Sequence, residues 1–152
     1  MEMDIIIKKY NELTIDELYE ILKLRSEVFV VEQNCVYQDI DDIDKRSYHI
    51  YMKEKDKPEV KVYIRVFEKD SDTSQIGRVV AAKDVRRKGY ATELLKKGID
   101  ISKNEMKKKK VYLEGQVYVS KLYEKLGFKI ISDEFLEDGI PHYKMLLTLN
   151  EN

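Results

Sequence analysis

The stretch Arg78–Thr92, RVVAAKDVRRKGYAT, constrains this chain more than any other, because it carries an apolar strand into a helix through a short basic turn containing one glycine. Within it, Arg86, Gly89 and Ala91 form RxxGxA. Small residues at such a turn let an anion approach backbone N–H groups, and the new helix points its positive end at the charge, which is the layout of a pyrophosphate cradle. Downstream, Ala91, Leu94, Leu95, Gly98 and Ile101 fall at i, i+3, i+4 spacing, the stripe of a helix laid on a core.

The rest of the chain supplies alternating elements around this unit. Ile5–Lys8 reads as a strand, and Thr14 with Glu17 three residues on is a capping box that starts a helix. Its apolar face runs through Ile15, Leu18, Ile21, Leu22, Val28 and Phe29, ending near Gln33. An acidic loop, NCVYQDIDDIDKRS, precedes a hairpin of two strands, 47–53 and 59–67, and a third strand occupies 75–82. After the stripe, Val111–Glu114 reads as a strand, 118–126 as a helix ended by Gly127, and 128–131 and 142–149 as strands joined across Asp138-Gly139. The order β-α-β-β-β-α-β-α-β-β predicts a mixed α/β fold, a largely antiparallel central sheet flanked by helices, with residues 1–152 forming a single domain.

A chain of 152 residues with 43% hydrophobic content can bury one core of this size. Its formal net charge of -1 gives no global attraction to nucleic acid or to anionic membranes, and neither is expected as a partner. No apolar run approaches the roughly 20 residues that cross a bilayer, and the N-terminus lacks the layout of a signal peptide, so a cytoplasmic location is expected. Cys35 is the lone cysteine and reads as a buried bystander. His49 and His142 lack the companions of a metal site, and no metal is expected.

RxxGxA followed about thirty residues later by Leu122–Phe128, LYEKLGF, resembles the GNAT superfamily of acetyl-coenzyme A dependent N-acetyltransferases. The block Arg25–Asp44, RSEVFVVEQNCVYQDIDDID, together with Asp138–His142, DGIPH, resembles its ElaA-like branch, with Val36 standing where proline is expected. The resemblance implies the GNAT fold and acetyl-coenzyme A as co-substrate. It implies that Arg86, Arg87, Lys88, Gly89, Tyr90, Ala91 and Thr92 cradle the diphosphate, that Val79, Val80 and Ala81 lend backbone groups to the pantetheine arm beside a strand bulge, and that Gln116 touches the cofactor. Tyr123 is implied as the general acid for the departing thiolate, against the plainer reading of an aromatic packed with Val119, Leu122 and Leu126.

For the acceptor, a primary amine of a small molecule or a protein, Glu32, Tyr37, Asp39 and His142 are the candidates. Glu32 lies seven residues after Arg25 on one helical face, so an ion pair with Arg25 and a role as base for the amine are both open. Asp39, Asp41, Asp42 and Asp44 could attract a cationic amine or form a solvated loop. The function expected is direct acetyl transfer in a ternary complex; the alternative is a non-catalytic acyl-coenzyme A binding or sensing domain. A homodimer paired through the sheet edge or the C-terminal strands is compatible with the resemblance.

Overall fold

Strands rich in β-branched and aromatic residues build one eight-stranded sheet in the computed structural model of the protein, which describes residues 2–150. The chain runs β1 (Met3–Lys9), α1 (Ile15–Arg25), β2 (Tyr48–Glu54), β3 (Val60–Glu68), β4 (Thr73–Ala81), α2 (Tyr90–Asp100), β5 (Lys110–Gln116), α3 (Ser120–Lys125), β6 (Lys129–Ile130), β7 (Phe135–Glu137) and β8 (Ile140–Thr148). The strand order is β1-β2-β3-β4-β5-β8-β6, with β7 hairpinned onto β8. Every pairing is antiparallel except β4 with β5. The expected mixed, largely antiparallel sheet with flanking helices is therefore what the chain forms.

Alternation along β3 splits the core between the two faces of the sheet. Val62, Ile64 and Val66 pack under α2 with Leu94 and Leu95, while Tyr63 packs under α1 with Ile21, Leu24, Val28 and Phe29. Leu94 and Leu95 are fully buried, each contributing roughly 1.5–3 kcal/mol of hydrophobic stabilisation. A Cβ at Gly98 would lie 3.0 Å from Ile64 Cδ1, so glycine sets the close approach of α2 to the sheet.

The capping box forms as expected: Glu17 N–H donates to Thr14 Oγ1 at 3.1 Å, and Thr14 N–H donates to Glu17 Oε1 at 2.8 Å. The helix continues past Arg25 to Glu32, but Ser26–Glu32 is wound as a π-helix. Ile15, expected on the buried face, is 88% exposed: nine residues, two and a half turns at about 3.6 residues per turn, separate it from the buried Leu24, so it stands on the opposite side of α1. A second departure is β7, absent from the expected strand list. Asp138-Gly139 joins β7 to β8, and both residues have positive φ (51° and 79°), as a two-residue hairpin turn requires.

Candidate active site

The parallel pairing that joins the two halves of the sheet is short. β4 and β5 pair through Thr73, Ser74 and Gln75 against Lys110, Val111 and Tyr112, and then part. From Ile76 to Ala81, the β5 side of β4 has no strand partner. On its other side β4 carries a bulge: Tyr63 pairs with Val80 but Arg65 pairs with Gly77, so an extra residue is accommodated and Arg78 sits at φ 53°. The splay opens a cleft of about 1040 Å³ that passes from one face of the sheet to the other.

On the α2 face, the cleft ends at the turn before α2. Gly89, at φ 79°, is the N-cap and has no side chain with which to cap the helix. The first helical bond runs from Glu93 N–H to Gly89 O at 3.2 Å, leaving the N–H groups of Tyr90, Ala91 and Thr92 without helical acceptors. A Cβ built on Gly89 meets nothing within 4 Å, so the approach to these donors is open. An anion fits this end by charge and by hydrogen bonding.

Tyr123 closes the same face from α3. Its ring packs on Gly115 of β5 and meets the Phe128 ring edge-on, with centroids 6.2 Å apart. The residue is 5% exposed and lines the cleft. Burial pushes its phenol well above the ordinary value, so the hydroxyl holds its proton at neutral pH.

On the α1 face, strand alternation places Tyr112, Glu114 and Gln116 together, next to His142, which pairs with Gln116 across β5 and β8. Tyr37, Arg78, Glu114, Glu137 and His142 line this side. Tyr37 Oη donates to Asp39 Oδ1 at 2.8 Å beneath the Arg78 guanidinium, which stands 5.5 Å from its ring centroid.

A family profile described as an acetyltransferase (GNAT) domain matches residues 8–149. This chain belongs to the GNAT acetyltransferase family. Protein ElaA of Escherichia coli is 36% identical over 140 residues, covering 90% of each chain, and its crystal structure superposes with a TM-score of 0.89 over 96% of this chain and 99% of that one. A UPF0039 protein of Schizosaccharomyces pombe is 40% identical over 148 residues, 97% of this chain and 98% of its own. An acyl-CoA N-acyltransferase from Pseudomonas aeruginosa, 31% identical, matches with a TM-score of 0.89 over 97% of this chain and all of that one.

Most of the GNAT residues expected from the sequence meet in this one cleft. Val79, Val80, Ala81, Arg86, Arg87, Gly89, Tyr90, Ala91, Thr92, Gln116 and Tyr123 line it, as do Glu32, Tyr37 and His142. Lys88 does not: it is exposed beside the turn, outside the lining.

Asp39 is also turned away from the cleft. Its carboxylate accepts from Arg25 Nε at 3.0 Å, from Arg78 Nε at 2.9 Å and from Tyr37, and the buried Asp39 is not part of the cleft lining. The acidic loop as a whole is neither solvated nor a free anion. Arg25 Nη1 donates to Asp44 at 2.8 Å, Arg65 Nη1 donates to Asp41 at 2.6 Å and to Asp44 at 2.9 Å, and Asp42 alone of the four aspartates stays exposed. Burial opposes ionisation at Asp44 and Asp41, but the arginines outweigh it and hold both carboxyls below their usual range.

Glu32 pairs with Arg86 rather than Arg25. The contact is bidentate, Nη1 to Oε2 at 2.7 Å and Nη2 to Oε1 at 2.9 Å, while Arg86 Nε donates to Ala81 O at 2.9 Å. Arg86 thus ties the cradle to the end of the first helix instead of pointing freely at an anion, and its hydrogen bonds hold the Glu32 carboxyl below the usual value. Cys35 is half-buried in the cleft wall, donating to Asp138 O at 3.4 Å, and is not a core bystander.

Sequence reasoning missed Arg78, Glu114 and Glu137. Glu114 was detectable: in VYLEGQ it shares a strand face with Tyr112 and Gln116 at period two, a carboxylate inside an otherwise apolar strand. Glu137 joins this side of the cleft only through the β7–β8 hairpin.

Proposed function

We propose that the protein is an acetyl-coenzyme A dependent N-acetyltransferase that moves acetyl directly to a primary amine within a ternary complex. The observation carrying this reading is the parting of β4 from β5 after Gln75 and Tyr112, which joins an anion-binding helix start on one face to a polar chamber on the other. When bound, acetyl-coenzyme A supplies a thioester: an acyl carbon open to a nucleophile and a sulfur that leaves needing a proton.

The chain's own residues divide the work. Backbone N–H groups of Gly89, Tyr90, Ala91 and Thr92 hold the diphosphate, with Arg87 beside them and Arg86 bracing the turn through Glu32. The unpaired edge of β4 at Val79, Val80 and Ala81 offers main-chain groups to the pantetheine arm as a strand would, and Gln116 faces it from β5. Tyr123 gives its phenolic proton to the leaving sulfur. On the other face, Tyr37 and His142 bound the chamber that an amine of a small molecule or a protein side chain enters. Among the described residues the hydrogen-bond partner of Cys35 Sγ is a carbonyl oxygen, which cannot take its proton, so direct transfer is favoured over an acetylated enzyme.

Two measurements test this reading. Calorimetric titration with coenzyme A must show binding, and acetyl-coenzyme A with a panel of primary amines must release free thiol in an amine-dependent way. No binding at millimolar concentration sinks the cofactor assignment; binding without release in any amine returns the protein to a sensing role.

A further inference from the structure

The cleft continues beyond the chamber bounded by Tyr37 and His142, along the α1 face toward the start of β4. Phe67, Gln75 and Tyr112 stand side by side there, because Gln75 pairs with Phe67 across β3 and β4 and with Tyr112 across β4 and β5. A cation lies over each end of this row. The Arg46 guanidinium is 5.0 Å from the Phe67 ring centroid, and the Lys69 ammonium is 4.6 Å from that of Tyr112. Arg46, Phe67, Lys69 and Gln75 all line the cleft.

These two charges differ from the arginines nearby. Arg25, Arg65 and Arg78 are matched by Asp39, Asp41 and Asp44, so that network is neutral as a whole. Arg46 and Lys69 form no ion pair among the described residues. Arg46 Nη1 donates to Glu68 O at 2.7 Å, while the Glu68 carboxylate accepts from Lys108. Asp70, next to Lys69 in the chain, accepts from Asp72 N–H at 3.0 Å. Arg65 lies one pair along from this row, 3% exposed, and its Nε–H has no partner, which adds positive potential.

From this arrangement we propose that Arg46, Gln75 and Lys69 form an anion subsite, which holds the carboxylate or phosphate of an acceptor whose amine is carried at the far end of a chain. The proposal rests on the acetyltransferase reading of the cleft and names the class of its acceptor: ω-amino acids or ω-aminoalkyl phosphates. The two cations supply charge and the Gln75 amide can donate a hydrogen bond between them. Glu114, Glu137 and Asp138 line the other end of the chamber and repel an anion, so the acceptor enters in one orientation. Gly77, next to Gln75 on the same face of β4, has no side chain to block the chain between the two ends. The run from Tyr112 to Gln116, which pairs with His142, spans about 13 Å at roughly 3.3 Å per residue, and this bounds the spacing of amine and anion.

The test uses the full chain in thiol-release assays with acetyl-coenzyme A at low ionic strength, where exposed charges are least screened. The amines are 8-aminooctanoate, 8-aminooctyl phosphate, octylamine, 4-aminobutyrate and butylamine. At least one long acid should exceed octylamine in kcat/KM by about tenfold, mainly through KM, whereas 4-aminobutyrate, too short to reach Lys69, should gain nothing over butylamine. The larger of the two long-acid effects names the anion. In the Arg46→Gln, Lys69→Gln double variant the ratio of long acid to octylamine should fall to about one; a general loosening of the fold would lower both alike and leave the ratio unmoved. Octylamine equal to or better than both long acids, or a ratio unchanged in the double variant, overturns the proposal while leaving the acetyltransferase reading intact. Absence of coenzyme A binding, or of thiol release with every amine, overturns both.

Discussion

The Tyr123 ring occupies the space that a side chain at position 115 would need: a Cβ on Gly115 would lie 2.7 Å from Tyr123 Cε2 and 3.0 Å from Cδ2. The glycine of β5 therefore sets where the phenol of α3 stands in the cleft. Gly115→Ala forces the ring to move or the strands to shift, an overpacking cost of about 1–3 kcal/mol. A matching fall in thermal denaturation midpoint, with kcat reduced more than coenzyme A affinity, is the expected result. Unchanged turnover would mean that the ring position is not critical.

Gly89 presents the opposite case, open space but a left-handed backbone. Gly89→Ala should cost roughly 1 kcal/mol through φ alone. Gly89→Glu adds a carboxylate at the helix N-terminus where the diphosphate is expected, and should weaken coenzyme A binding well beyond the alanine variant. Calorimetric titration of both folded variants separates backbone strain from charge.

Arg25 is fully buried against Asp39 and Asp44, with its guanidinium 5.7 Å from the Tyr63 ring centroid. Removing it takes one guanidinium from each of two buried carboxylates, leaving Asp39 to Arg78 and Asp44 to Arg65, a loss of up to about 3–5 kcal/mol. Urea unfolding of Arg25→Met should show this as a lowered midpoint; Arg25→Lys should recover only part, since one ammonium cannot replace the forked contacts.

The fold and the cradle were readable because they are local. Periodicity, the capping box at Thr14 and the glycine of the Arg86–Ala91 turn are properties of short windows, and each element arises near where its window places it. The partner of Glu32 was not readable: a spacing of seven stacks Arg25 and Glu32 only on an α-helix, and the π-winding of Ser26–Glu32 changes the phase, sending Arg25 inward and Glu32 to Arg86. The acidic loop failed for a similar reason. Its partners, Arg65 and Arg78, lie on β3 and β4, and no local pattern ties them to Asp39, Asp41 and Asp44.

Glu17 carries a pH dependence that can be checked without a substrate. Burial acts to raise its carboxyl, but hydrogen bonds from Thr14, Tyr51 and Lys8 outweigh it and hold it at about 2, against an ordinary 4.5. A depressed folded value stabilises the protein above the unfolded pKa and loses that stabilisation as pH falls through the folded one. The denaturation midpoint of the native chain should exceed that of Glu17→Gln by a constant margin above pH about 5, narrowing as pH falls toward about 2. A margin independent of pH would place the effect elsewhere than in the ionised carboxylate.

Tyr123→Phe tests the enzyme reading most directly, because it keeps the ring against Gly115 and Phe128 while removing the phenolic proton proposed to pass to the leaving sulfur. In the folded variant, coenzyme A affinity should stay near that of the native protein and amine-dependent thiol release should fall roughly a hundredfold or more. Native turnover in a well-folded Tyr123→Phe protein would contradict the assignment of Tyr123 as the acid.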